Sequence, residues 1–262
     1  MSEELLLKAH AIIKDEPEVA LAICNDILND HIEDEIAQKA LFMSGYIMME
    51  AERYGLAYNI YQRCAQLNPK ISEIWSNMGM CLEEYSPAKA KKYFRKAYKL
   101  NNKNASALAN EGLMCLQTGD PQQCVDLSRR ASMIDPELRA ARYNMGLAQL
   151  MLRDWKNGWE GYYKSLGVKG REGRDYGLPD WNGEKGQVLV FGEQAFGDEL
   201  LFFSCLPDLL KTNDVILDCD KRTEKLLRRS FGLPTYGTRF KTETTLLDEH
   251  TPDYQIAAGQ LP

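Results

Sequence analysis

Along the first two-thirds of this 262-residue chain, apolar residues recur with a helical period, and the whole pattern returns every 33 or 34 residues. Glycines mark the interval: Gly45, Gly79, Gly112 and Gly146 stand 34, 33 and 34 residues apart. Four residues ahead of each glycine stands Leu41, Trp75, Leu108 or Arg142. Further on, allowing for one position lost after Gly79, Ala57, Ala90, Cys124 and Gly158 correspond, as do Tyr61, Phe94, Ser128 and Tyr162. Cys64, Ala97, Ala131 and Ser165 complete the series, while Pro69 and Pro136 close two units. Each period predicts two helices, with small residues letting them approach and large ones filling the gaps. The 33-residue unit lacks one position near Ser86-Pro87, where the turn between its helices is expected. A diverged first unit keeps Ala20, Cys24 and Ile27 at the second-helix offsets and is read as a cap.

After residue 187 the pattern changes. Short apolar runs at Val188–Phe191, Asp214–Cys219 and Tyr254–Ala258 predict strands. Asp198–Leu210 and Lys221–Phe231 read as helices, Leu233–Phe240 as irregular or a short edge strand, and residues 243–250 as helical. Such alternation predicts a small parallel sheet with right-handed crossovers. Residues 167–187, rich in glycine and charge, form the connector.

A two-helix repeat near 34 residues is the tetratricopeptide signature. The fold class is therefore α plus α/β, an α-solenoid followed by a partial Rossmann-like sheet. The expected solenoid spans 1–166, in units near 1–37, 38–71, 72–104, 105–138 and 139–166, and the second domain spans 188–262. Solenoids of stacked hairpins present a concave face suited to a protein or peptide partner. Asn77, Asn110 and Asn144 each stand two residues before the repeat glycine, with Met43 breaking the series in the second unit. A carboxamide both donates and accepts, so this column has two readings: a ladder for an extended peptide backbone, or a common repeat residue.

Composition narrows the functional classes. A formal charge of −6 argues against a surface dominated by phosphate contacts. Seven dispersed cysteines without a C-x-x-C pair read as buried, reduced thiols of a cytoplasmic protein. Three histidines leave no metal centre to expect. The acidic, amphipathic start is unlike a signal peptide, and no apolar run nears the roughly 20 residues that span a bilayer.

The loop Gly192-Glu193-Gln194-Ala195-Phe196-Gly197-Asp198 follows the first strand and opens a helix, the place where open α/β sheets bind ligands. It lacks the Lys-Ser/Thr of a phosphate-binding P-loop. Gly192, Glu193, Gln194 and Gly197 are the candidate ligand-binding loop. Asp198 has two readings, a helix cap or a general base. If Ala195 required a positive φ, the loop would be strained. The aromatic set Trp155, Trp159, Tyr162 and Trp181 is expected at the seam of the two domains, or as a sugar-stacking platform.

Four motifs in this part carry a resemblance. They are Gly158-Trp159 with Tyr162-Tyr163, Pro179-x-Trp181-x-Gly183-Glu184, the loop through Asp198 and Glu199, and Ser204–Asp208 with Cys219-Asp220-x-Arg222. Together they resemble bacterial and phage-type tetratricopeptide–glycosyltransferase proteins, relatives of the O-linked N-acetylglucosamine transferases. The resemblance implies a sugar transferase whose donor is a nucleotide-sugar and in which Asp198 deprotonates or orients the acceptor. It extends over the first part of such a transferase domain only, without the half that binds the donor. The chain is thus expected to be an interaction module fused to an incomplete transferase, not catalytic alone. Three alternatives stay open: a transferase component acting at a composite site, a docking scaffold, or a homo-oligomer joined through the sheet edge.

Overall fold

The computed structural model describes residues 2–31, 34–164, 167, 173–238 and 245–261. Ser165 of the repeat series, and residues 239–244 of the expected edge segment and helix, lie outside the described residues. The chain divides into two compact units, Met1–Leu152 and Arg153–Pro262.

The first unit is a run of helices: α1 (Ser2–Ile12), α2 (Pro17–Asp30), α3 (Glu35–Glu50), α4 (Tyr54–Leu67), α5 (Ser72–Met80), α6 (Pro87–Leu100), α7 (Ala105–Gln117), α8 (Pro121–Ile134) and α9 (Arg139–Met151). Local chemistry sets their starts. Asp34, Asn104 and Asp120 accept from the backbone N–H three residues on, at 2.7, 2.9 and 3.0 Å. Pro17, Pro87 and Pro121 open the second helices of their hairpins, where a missing N–H costs nothing.

The repeat glycines close the hairpins. A Cβ at Gly45 would lie 2.7 Å from the Tyr61 ring, and one at Gly79 would lie 2.6 Å from the Phe94 ring. Tyr61 and Phe94 are fully buried. At Gly112 the facing residue is Ser128, whose Oγ would stand 3.1 Å away. The ring of the second helix thus occupies the space that glycine vacates on the first.

The turns inside the hairpins also share a feature. Glu52, Gly119 and Arg153, each seven residues past a repeat glycine, have φ of 57°, 87° and 63°. Only glycine adopts this left-handed conformation freely. In the third unit the deleted residue falls in this turn. Its α5 is the shortest first helix, and residues 81–86 contain no positive φ.

The expected fifth unit, 139–166, is divided: α9 lies in the first unit and α10 (Trp155–Tyr163) in the second. Tyr162 accounts for this, because its ring packs on Phe202 at 6.0 Å and its hydroxyl accepts from the Gln194 amide. Trp159 stacks on Tyr163 at 6.1 Å, Trp155 is exposed, and Trp181 donates to the Glu184 carbonyl within its own turn.

The remaining elements are β1 (Gln187–Phe191), α11 (Phe196–Phe203), α12 (Leu206–Leu209), β2 (Asp214–Asp218), α13 (Glu224–Phe231), β3 (Thr235–Tyr236), α14 (Leu246–Glu249) and β4 (Tyr254–Ala257). A 3₁₀ turn, Ala258–Gln260, follows. The four strands are parallel, in the order β3-β2-β1-β4, with Leu189 opposite Ile216 and Gln255. The single helix expected over Asp198–Leu210 begins two residues earlier and breaks at Ser204-Cys205, because Pro207 lacks the N–H to continue it. The connector lies along β4: Gln255 donates to the Pro179 carbonyl and accepts from Trp181, at 2.9 and 2.8 Å.

Two substitutions test these constraints by denaturation followed with far-ultraviolet circular dichroism. Gly79→Ala is expected to lower stability by about 1–3 kcal/mol through overpacking against Phe94, whereas Gly112→Ala stays within about 0.5 kcal/mol or stabilises. Glu52→Gly is expected to raise stability by about 0.5 kcal/mol, because relief at a left-handed position exceeds the added chain entropy.

Candidate functional site

Two places carry candidate chemistry, one in each unit. In the first, a groove of about 1080 Å³ runs between α1, α3 and the α4–α5 turn. Leu6, Leu7, Phe42, Met43 and Ile71 make its lining apolar, and Leu7 is 72% exposed. Glu3, Asp34 and Glu35 stand on the same lining. The one lysine there, Lys39, is held by Glu35 at 2.8 Å and Glu3 at 3.8 Å, so the rim stays anionic. His31 ties α1 to the start of α3: its Nε2 lies 3.0 Å from Ser2 Oγ and its Nδ1 2.5 Å from Asp34 Oδ2. The Ala37 N–H and then the imidazole hold the Asp34 carboxyl below its ordinary range. Met43, the break in the asparagine series, is thus part of an apolar floor.

The three asparagines are not equivalent. Asn77 donates to the Tyr61 hydroxyl at 2.9 Å and is half-buried, as is Asn110. Asn144 is 4% exposed and donates to the Ala109 carbonyl at 3.1 Å, joining α9 to α7. Its amide serves the stacking of hairpins, which leaves Asn77 and Asn110 as the more open positions.

In the second unit, the carboxyl ends of the strands gather acids. Asp218, at the end of β2, is fully buried; its Oδ1 accepts from Thr238 N and Oγ1 at 3.0 and 2.7 Å. Its Oδ2 accepts from Arg174 at 2.7 Å and from the Tyr176 hydroxyl. Burial, then the neighbouring Asp218 charge, pushes the Tyr176 phenol far above its ordinary range, so it remains a donor. Asp220 grips Arg222 through two contacts of 2.9 and 2.7 Å. Glu199, 1% exposed, accepts from Asp220 N at 2.8 Å and Thr223 Oγ1 at 3.3 Å. Glu193, equally buried, accepts from Gly259 N at 3.2 Å. Glu193 therefore links the end of β1 to the turn after β4, across the point where the strand order reverses.

The loop residues fall on both sides of this network. Gly192 is buried against Glu199, whose carboxyl carbon would lie 2.6 Å from an added Cβ, so close approach explains this glycine. Gln194 donates to the Tyr162 hydroxyl and to Glu193. Ala195 caps α11 with φ −59° and ψ 153°, an unstrained geometry, and Gly197 lies in the first helical turn with open space around it. Asp198 is exposed and does not cap the helix; no hydrogen bond or ion pair engages its carboxylate among the described residues. Nearby, the Arg222 guanidinium covers the exposed Phe196 ring at 4.7 Å. Sequence reasoning missed Asp218 and took Glu199 and Asp220 only as motif residues, without their structural role. Each stands at or just past a strand end or helix start, among apolar residues, where an acid must be hydrogen-bonded.

Other chemistry is sparse. All seven cysteines are free thiols, six of them buried, and burial pushes Cys64 and Cys124 up to about 11 and Cys81 and Cys219 to about 12. Among the described residues no cluster of metal-ligating side chains occurs, and no helix is long and apolar enough to cross a membrane.

Compared with protein-family models the sequence matches none, and it matches no curated protein. Solved structures do resemble it. The MamA 41-end structure from Desulfovibrio magneticus RS-1 aligns with a TM-score of 0.56 at 16% identity, over 64% of this chain and 94% of that one. YrrB, described as a TPR protein with an unusual peptide-binding site, gives 0.51 at 19% identity over 63% and 84%. TTC0263, a thermophilic TPR protein in Thermus thermophilus, gives 0.52 at 12% over 63% and 90%. At these identities the likeness establishes a tetratricopeptide fold.

The Asp218 network makes its own prediction. Asp218→Asn removes the buried carboxylate to which Arg174, Tyr176 and Thr238 all donate and is expected to cost about 3 kcal/mol. Hydrogen exchange on the full chain should accelerate in peptides covering β1 and β2, with peptides covering α5 to α7 unchanged.

Proposed function

We propose that this chain is a protein-interaction solenoid that grips an apolar, basic peptide segment, fused to an incomplete glycosyltransferase-like unit that is not catalytic by itself. The groove between α1 and α3 carries the first part. Its apolar lining offers anchors of the kind that dominate peptide recognition, and its anionic rim selects positive flanking charge. The likeness to YrrB, described as having a peptide-binding site, supports this reading. Asn77 and Asn110 would extend the contact to a peptide backbone, and the unpaired thiols fit a reducing compartment such as the cytoplasm.

The order β3-β2-β1-β4 supports a Rossmann-like origin, being that of the first four strands of a doubly wound sheet. Five carboxylates, Glu193, Asp198, Glu199, Asp218 and Asp220, meet two guanidiniums there, Arg174 and Arg222, both already paired. Such an edge repels a diphosphate and suits a neutral hydroxyl acceptor. Asp198, exposed and unengaged, is the group that would receive or orient the hydroxyl proton, with a nucleotide-sugar arriving as substrate at a site completed elsewhere. Association through the β4 edge has less to recommend it, since the connector already engages Gln255.

Calorimetry of the full chain tests both parts. Peptides with two or three large apolar residues flanked by lysine are expected to bind at least about tenfold tighter than the same peptides flanked by glutamate, and Glu3→Gln with Glu35→Gln abolishes the difference. Equal affinity for the two peptide sets defeats the groove assignment. Nucleoside diphosphates and nucleotide-sugars are expected not to bind; micromolar binding lost in Asp198→Ala shows instead a self-sufficient transferase.

A further inference from the structure

The second helices of the first three hairpins carry a charge gradient that the groove does not use. From Asp15 to Asp30, covering α2 and its leading turn, there are five acids, Asp15, Glu16, Glu18, Asp26 and Asp30, and no base. On α4 the single charge is Arg63. On α6 there are six bases, Lys89, Lys91, Lys92, Arg95, Lys96 and Lys99, and no acid. The five acids are all exposed, as are all the α6 bases except half-buried Lys91. Lys89, Lys92, Lys96 and Lys99 follow one another at three, four and three residues, which places them in one stripe.

Little of this charge is paired among the described residues. Among the described residues Arg95 pairs with Glu111, at 2.8 Å, while no ion pair engages Lys89, Lys92, Lys96, Lys99 or the five acids. Lys96 lies over the Trp75 ring at 3.3 Å and Lys89 over Tyr58 at 5.0 Å, so the cations are held against flat aromatic ground. The layer is laterally continuous. The hydroxyls of Tyr58 on α4 and Tyr93 on α6 meet at 2.7 Å, and α2 shares one apolar core with α4. Beside the start of α4 lies a hollow of about 580 Å³ lined mainly by Tyr54, Leu56, Leu82 and Tyr85, with Glu52 and Arg53 at one side. Leu56 is 52% exposed and Tyr85 76%.

An acidic helix, a neutral helix with an apolar hollow, and a basic helix, in that order, form a self-complementary surface. We propose that this layer is the interface for a second copy of the chain, related by a two-fold axis through α4. The axis sets α2 of each copy on α6 of its partner, so every acidic stripe meets a basic one twice over. Apolar contact at the centre and charge at the rim is the usual anatomy of such interfaces. The charge supplies the register, because this superposition alone opposes both acidic helices to both basic ones, whereas setting each helix on its own counterpart brings like charges together.

Sedimentation velocity of the full chain tests this at low and high salt. A dimer is expected at low ionic strength, with dissociation strengthened at least about tenfold in 0.5 M salt, where the screening length falls to about 4 Å. Lys92→Glu with Lys96→Glu, and separately Glu18→Lys with Asp26→Lys, are each expected to weaken the dimer at least about tenfold while the helical dichroism is retained. Mixing the two variants then restores a one-to-one heterodimer, because both contacts across the axis regain opposite charge. A monomer at low salt, a dimer insensitive to salt and to both reversals, failure of the mixture to associate, or growth beyond a dimer would each overturn the proposal.

Discussion

The fit of an aromatic ring against a glycine is the constraint from which the solenoid follows. Tyr61 on Gly45 and Phe94 on Gly79 leave no space for a single added carbon. Each hairpin is thereby closed to one separation and one rotation, and the next can only stack on the surface so defined. The groove along α1 and α3 and the outer layer of α2, α4 and α6 are two faces of that same stacking. Neither needs a separate cause. Where the ring is replaced by Ser128, the lock is looser, and a hydrogen bond from Asn144 to the α7 backbone reinforces the neighbouring hairpin contact.

The second unit is organised by charge rather than by rings. Asp218, Asp220, Glu193 and Glu199 are buried or nearly so, each tied to backbone or side-chain donors. A network satisfied in this way is rigid, since removing one member strands another. It also fixes the potential at the sheet's carboxyl edge as negative. The exposed Asp198 stands on that rigid base without belonging to it.

Much of this was legible in the sequence. The 34-residue interval gave the hairpins, and Ala57, Ala90 and Cys124 gave their tight sides, because repetition reports the same packing several times over. The missing position near Ser86 also marked its turn correctly. What escaped were single events. The break at Cys205 depends on one proline, placed after an apolar helix start has already committed the chain. The transfer of α10 to the second unit depends on what Tyr162 touches, and a repeat pattern cannot show that. The asparagine column read as uniform, yet Asn144 is buried and Asn110 is not, since the neighbouring hairpin decides which amide is covered. The buried acids were hidden for a related reason: an isolated Asp or Glu reads as surface until its donors, distant in the chain, are known.

The position of the groove has a consequence for its energetics. One wall is α1, where only Leu6 and Ala9 are buried and the Ser2–His31–Asp34 link supplies the polar hold. An element held by so few buried residues opens before the core of the array does. A guest lying against Leu7 would add apolar contact to this sparsely buried helix, and its residence would be written into the lifetime of α1. Binding there would then be measured by how long α1 stays folded.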